Sequence, residues 1–399
     1  MPRGGFSRLF SAAPLPARIG RFFKSRGRIL VVDLKTPTPD EDSGSASTFS
    51  YLQIFSRAGF DVTFAPFNLI NAGRYTQALN DLGVKTLSSP EWTSIEAVIE
   101  AFTPRSDLLL LYRAPVAMHL FNIARRVAPA AKILFHAVDL HFLRMQREAA
   151  LSGIQAQADS ASAVRAIELD LIERADASIV VSSYELNLLR ELVPTAVVHQ
   201  IPILRETPPQ LPGPAPSLQQ RCDFLFIGGY EHLPNVDAVR WFVSEVWPIL
   251  LSRRFPRRFI IAGSKLPDDI AALASEKIEV RGYVEDLAPL FASCRLSVAP
   301  LRYGAGIKGK IVTSLSYGVP VVATSIAAEG ADLRHDETIL VADTPNAMAD
   351  QIMRLYDDAH LWQRLSANGY QAFQDKFSLT AGAHRVLAVV DGLVASARR

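Results

Sequence analysis

From Arg28 onward, apolar and polar positions follow a repeating rhythm: a short, almost wholly apolar run, a polar loop, then a stretch with helical spacing. Residues 29–33 open the series as a strand, and 46–58 follow as a helix. DVTFAP (61–66), DLLLLY (107–112), KILF (132–135) and ASIVV (177–181) continue it as strands, separated by helical lengths. Strands this uniformly apolar predict a parallel sheet covered on both faces. After Ile203 the rhythm stops at RETPPQLPGPAPSLQQR, whose prolines and lack of period read as a linker. It restarts at Cys222 with CDFLFIGG and a helix over 237–251, where Val239, Phe242, Val243, Val246 and Leu250 share a face. Strands at 258–263, 278–281, 296–300, 319–324 and 339–341 follow, and 379–394 reads as a final helix with a path back to the first domain.

The expected architecture is therefore α/β: two doubly wound, Rossmann-like domains facing a central cleft, with ligands at the carboxyl ends of the strands. The boundaries fall at a basic N-terminal tail (1–27), a first domain (28–204), a Pro-rich linker (205–220), a second domain (221–376) and a C-terminal helix (377–399). A chain of 399 residues supports two cores.

Charge and cysteine content narrow the function. Lys plus Arg (42) nearly balance Asp plus Glu (40), so a general attraction to nucleic acid is excluded and any anion site must be local. The two cysteines, Cys222 and Cys294, lack the spacing of a zinc site or a disulfide framework, which fits a reducing, cytoplasmic setting. Residues 1–28 carry seven basic and no acidic side chains, with Phe6, Leu9, Phe10, Ile19, Phe22 and Phe23 among them. Two readings stay open for this segment: a basic tail, or an interfacial anchor that binds an anionic membrane at its inner face. No secretory signal is recognisable, and no stretch reaches the ~20 apolar residues of a membrane span.

Three strand-to-loop junctions carry candidate chemistry. At the first, 33–49, Gly44 precedes a helix whose N-terminus favours anions; the plainer reading is a polar loop with Ser43 or Ser45 as N-cap. The second, HAVDLHFLR (136–144), gathers His136, Asp139 and His141, residue types suited to orienting hydroxyls and moving protons, though Asp139 is also a natural cap for a helix beginning near Leu140. The third, APLRYGAGIKGKIVTSLSYGVPVVAT (299–324), brings Gly304, Gly306, Gly309, Lys308 and Lys310 to a helix starting near Lys310, a combination built for a diphosphate. Its spacing is not that of a P-loop, and no strand ends in the G-x-G-x-x-G turn of nicotinamide enzymes.

With FLFIGGYEHLPNVDAVRWF, FIIAGS, IEVRGYVEDLAPLFASCRLSVAPLRYGAGIKGK and SLSYGVPVVATSIAAEG in this order, the chain resembles bacterial glycosyltransferase family 4, and the likeness extends over roughly residues 28–375. The resemblance implies a GT-B fold and metal-independent transfer, with retention of anomeric configuration, from a nucleoside diphosphate sugar to a glycan, lipid-linked or other glycoconjugate acceptor, with no cofactor. It places Gly228, Gly229, Gly263, Ser264, Tyr283, Val284, Gly304, Gly306, Ile307, Lys308, Lys310 and Thr313 at the donor. Gly44 joins them from the first domain. Lys308 doubles as a catalytic residue, and Asp139, His141 and the rival His136 stand on the acceptor side.

Two departures stand out. Ala305 and Thr313 replace a pair of glutamates common in that family, and Glu231 and His232 occupy the stretch after Gly229 where many relatives place a cation. A degenerate sugar-nucleotide-binding protein and a nucleotide-sugar epimerase are the alternative readings.

Overall fold

The computed structural model describes residues 25–209 and 218–398. Most of the basic N-terminal segment and part of the linker lie outside the described residues.

The first domain runs β1 (Arg28–Asp33), α1 (Ser43–Arg57), β2 (Asp61–Pro66), α2 (Arg74–Asp81), β3 (Lys85–Thr86), α3 (Ile95–Phe102), β4 (Leu108–Tyr112), α4 (Ala114–Val127), β5 (Lys132–His136), α5 (His141–Ser152), α6 (Gln155–Arg174), β6 (Ala177–Val180), α7 (Ser183–Leu192) and β7 (Val198–Gln200). Its seven parallel strands lie in the order β3-β2-β1-β4-β5-β6-β7. The five residues of β4 are all fully buried, as a strand covered on both faces must be. Sequence pattern missed the short β3 and β7, which have too few residues to show a period.

The second domain contains β8 (Asp223–Ile227), α8 (Leu233–Trp241), α9 (Trp247–Ser252), β9 (Phe259–Ala262), α10 (Asp268–Ala271), β10 (Ile278–Gly282), α11 (Leu287–Ser293), β11 (Cys294–Ala299), α12 (Gly309–Ser316), β12 (Val321–Ala323), α13 (Ser325–Ala328), β13 (Leu340–Val341), α14 (Pro345–Asp357) and α15 (Ala359–Ala372). Its six parallel strands take the order β10-β9-β8-β11-β12-β13. The helix expected over 237–251 is really α8 and α9 joined by a π-helical turn, Phe242–Val246. Pro248 has no N–H to give the carbonyl four residues back, and the helix widens just before it, with Trp247 donating to Phe242.

Each sheet reverses its strand order once, between β1 and β4 and between β8 and β11. Such switch points open a crevice at the carboxyl ends of the strands. The chain passes between domains twice. It goes out through Arg205 and returns at Ser378 into α16 (Leu379–Ala397), and the two crossings are joined backbone to backbone: Arg205 donates to Phe377 and Leu379 donates to Arg205, each at 2.8 Å.

Among the described residues α16 alone has the length and mean hydropathy to cross a membrane, although His384, Arg385 and Asp391 interrupt its apolar run. Its Leu379, Val386, Val390 and Val394, however, are buried in the first domain's core with Val31, Phe55 and Leu110.

Candidate active site

The two switch points face each other across a cleft of about 580 Å³, well within the range of about 300–1,000 Å³ usual for small-molecule sites. Gly44, Asp139, Gly228, Gly229, Gly263, Ser264, Tyr283, Val284, Gly306, Ile307, Lys308, Lys310 and Thr313 all line it. Gly304, His136 and His141 do not.

On the second-domain wall, the turn after β11 folds back so that Lys308 becomes the N-cap of α12, without any side-chain cap for that helix. Lys308 is 6% exposed, and its Nζ donates to the carbonyl oxygens of Gly306 (2.6 Å) and Ala305 (3.2 Å). Lys310 donates to the Asn235 side-chain oxygen at 2.6 Å and lies over the Phe226 ring. Neither amine has a carboxylate within ion-pair distance among the described residues. Burial pushes Lys308 down to about 8; burial and then the charge of Lys308 push Lys310 down to about 7. Two desolvated amines and an uncapped helix N-terminus form a site short of negative charge. Gly304 stands behind it, its carbonyl accepting from Arg147 at 2.7 Å.

On the opposite wall, the loop between β5 and α5 delivers one acid. Gly306 lies directly against it: a Cβ there would come within 3.1 Å of Asp139 Cβ, and its φ of 63° suits glycine. Asp139 does not cap α5. Glu168 of α6 does so instead, accepting from the backbone N–H groups of His141 (3.1 Å) and Phe142 (2.9 Å), while buried Glu185 of α7 accepts from Leu140 (2.9 Å). The Asp139 carboxylate is thereby left to face the cleft. Burial alone would raise its pKa, but His141, Arg144, His232 and Arg113 outweigh that and hold it below the ordinary value.

His141 sits behind, its ring 3.1 Å from Glu168 and 3.5 Å from Asp139. Burial opposes its charge, and the Glu168 hydrogen bond and Asp139 overcome that opposition and raise its pKa. His136 requires a correction. It is the last residue of β5, wholly buried, stacked on Tyr112 at 4.6 Å, and burial drops its pKa to about 3. Its Nδ1 accepts from the Val138 backbone, so it shapes the loop rather than reaching the cleft.

The first junction also differs in detail. Asp42, rather than Ser43 or Ser45, caps α1, accepting from the Ser45 N–H and hydroxyl at 2.7 Å each. The loop before α1 crosses to the other domain: Asp40 accepts from the Tyr283 hydroxyl at 2.6 Å, and the Glu41 carbonyl accepts from Ser264 at 3.2 Å. A Cβ on Gly309 would overlap Ser43, so the N-termini of α1 and α12 abut. Arg147 and Glu329 add a two-pronged ion pair between the domains at 2.8 Å.

Sequence reasoning passed over Arg113, Arg205 and Asn235, all in the cleft wall, and the supporting acids Asp33, Glu168 and Glu185. Among the described residues, no group of three or more His, Cys, Asp or Glu side chains is placed to hold a metal ion.

Comparison with solved structures gives the architecture its name. A sucrose-phosphate synthase from Thermosynechococcus elongatus superposes with a TM-score of 0.70 at 17% identity, covering 92% of this chain and 99% of the other. The fold is GT-B. Anabaena HepE, solved in complex with UDP-glucose, gives a TM-score of 0.68 at 14% identity over 92% of this chain and all of that one. Residues 221–358, the GT-B domain that carries both lysines, match the family model for glycosyl transferases group 1. An uncharacterised 44.6 kDa protein in the cps region of Klebsiella pneumoniae is 22% identical over 165 residues, which are 39% of this chain and 42% of that relative.

Proposed function

We propose that the protein is a retaining, metal-independent glycosyltransferase of the family 4 type that moves a sugar from a nucleoside diphosphate sugar to a hydroxyl of a glycan or glycoconjugate in the cytoplasm. The observation that carries this reading is the pair Lys308 and Lys310, desolvated and, among the described residues, without acid partners at the uncapped N-terminus of α12, directly across from Asp139. The group 1 match over this same segment supports it.

As the bond to the sugar breaks, charge grows on the departing diphosphate. Lys308, Lys310 and the free N–H groups of α12 supply preorganised stabilisation, the largest single term in many such reactions. In the retaining reading the acceptor hydroxyl approaches the face the diphosphate leaves, and Asp139 orients it. His141, held between Asp139 and Glu168, fixes the direction of that carboxylate. The interdomain contacts through Tyr283, Ser264 and Arg147 keep water out during transfer. Thr313, which stands where the resemblance puts one of the family's two glutamates, offers the donor a hydroxyl in place of a carboxylate.

A thermal-shift panel with UDP, GDP, ADP and dTDP tests the donor half. A ligand at ~100 times its Kd stabilises by about 2.7 kcal/mol. One clear responder, followed by turnover of its sugar nucleotides with anomeric analysis of the product, supports the assignment; a folded protein that responds to none of them refutes it.

A further inference from the structure

At the first domain's own switch point, β1 ends in Asp33 and β4 is followed by Arg113. Asp33 is 2% exposed and accepts from the Leu34 N–H (2.7 Å), the Thr48 hydroxyl (2.7 Å) and Arg113 Nε (2.8 Å). A carboxylate so fully engaged fixes the guanidinium by one edge. The two terminal nitrogens of Arg113 make no hydrogen bond among the described residues, and the side chain lines the cleft with a fifth of its surface open.

The guanidinium lies over Gly44, where a Cβ would come 2.6 Å from Nη2. The backbone of Arg113, at φ 68° and ψ 141°, occupies a strained region that residues other than glycine rarely enter. Such strain is retained where the position of one side chain matters.

The turn after β8, meanwhile, carries no cation of its own and is approached by Lys310 through Asn235. After Gly229 come Glu231 and His232, and the nearby Lys265 is turned outward into an exposed pair with Glu231. We propose that Arg113, with its free edge in the cleft that Lys308 and Lys310 also line, adds a cation from the opposite domain and binds the terminal phosphate of the nucleoside diphosphate. The assignment rests on the donor reading above. It makes closure of the domains a condition for full charge stabilisation, because the two halves of the phosphate site belong to different domains.

Arg113 is a donor-binding residue by this account, and a buried ion pair with Asp33 of purely structural value is the competing explanation. Calorimetric titration of the full-length chain with UDP, GDP, ADP and dTDP, each beside its monophosphate, separates them. For the nucleotide that binds the wild type, Arg113→Gln should weaken the diphosphate by roughly 10- to 100-fold, as expected for losing a charged hydrogen bond, and the monophosphate by less than about threefold.

Arg113→Lys should restore part of the difference. Should Arg113→Gln fail to fold, Asp33→Asn, which leaves the guanidinium in place but unaimed, should lower the diphosphate-to-monophosphate preference in the same direction. An unchanged preference in a folded variant overturns the assignment. A wild-type protein that binds none of the nucleotides overturns the transferase reading and this one with it.

Discussion

The two walls of the cleft solve their electrostatics in opposite ways. On the first-domain wall the charges run in ion-paired series: Asp33 holds one edge of Arg113, Arg144 and His141 flank Asp139, and Glu168 closes the series behind. On the second-domain wall, among the described residues, Lys308 and Lys310 are held by two carbonyl oxygens, an amide oxygen and the face of the Phe226 ring, with no carboxylate. A balanced network fixes geometry; an unbalanced one waits for a counter-charge. Around Asp139 the first wall is suited to orienting an uncharged reactant, while the second wall, faced by the free edge of Arg113, is suited to receiving an anion, and burial lowers the pKa of each lysine there.

The sharpest break in this contrast comes from Asp139→Asn, which keeps the shape of the first wall and removes its one charge toward the acceptor. Turnover should fall by about 10²- to 10⁴-fold with nucleotide affinity nearly unchanged, read from steady-state rates beside titration calorimetry. Parallel loss of both would show that the acid serves the donor. Lys308→Ala attacks the other wall and should lower kcat by about 10²- to 10³-fold while the chain stays folded by circular dichroism.

The pH dependence of diphosphate affinity gives a smaller effect with a definite sign. Burial has lowered both lysines, so raising the pH discharges Lys310 near about 7 and Lys308 near about 8, and the affinity should fall with it. One such discharge is worth up to about tenfold per pH unit above the pKa, and Lys310→Met should flatten the lower part of the curve. Affinity that rises across this window contradicts the cationic site.

Smallest is the tie between the walls. Arg147→Met and Glu329→Gln, combined in a double-mutant cycle on thermal stability, should show a coupling on the order of 1 kcal/mol, since both side chains remain partly exposed.

Much of this was legible in the sequence because parallel α/β folds write their sites at strand ends, where a buried run stops and a glycine or charge begins. All three junctions reach the cleft for that reason. The register within HAVDLH was not legible. His136 is still in the strand and points into the core, whereas Val138, with φ at 70°, turns the chain so that Asp139 emerges. The caps of α5 come from Glu168 and Glu185, 26 to 45 residues away, which no local pattern reports. Arg113 is a lone arginine after LLLLY, and only its placement beside Asp33, 80 residues earlier, gives it meaning.

The clasp between Arg205 and the Phe377–Leu379 backbone has a mechanical consequence. Two strands crossing apart would let one lobe slide over the other; two strands stitched at a single residue leave chiefly rotation, like a door on one pin. Arg205 stands on that pin and reaches Ser43 at the mouth of α1. Cutting the chain before Leu379 would therefore wound the lobe at the far end of the sequence, stripping the cover from Val31 and Leu110 and freeing the pin at once.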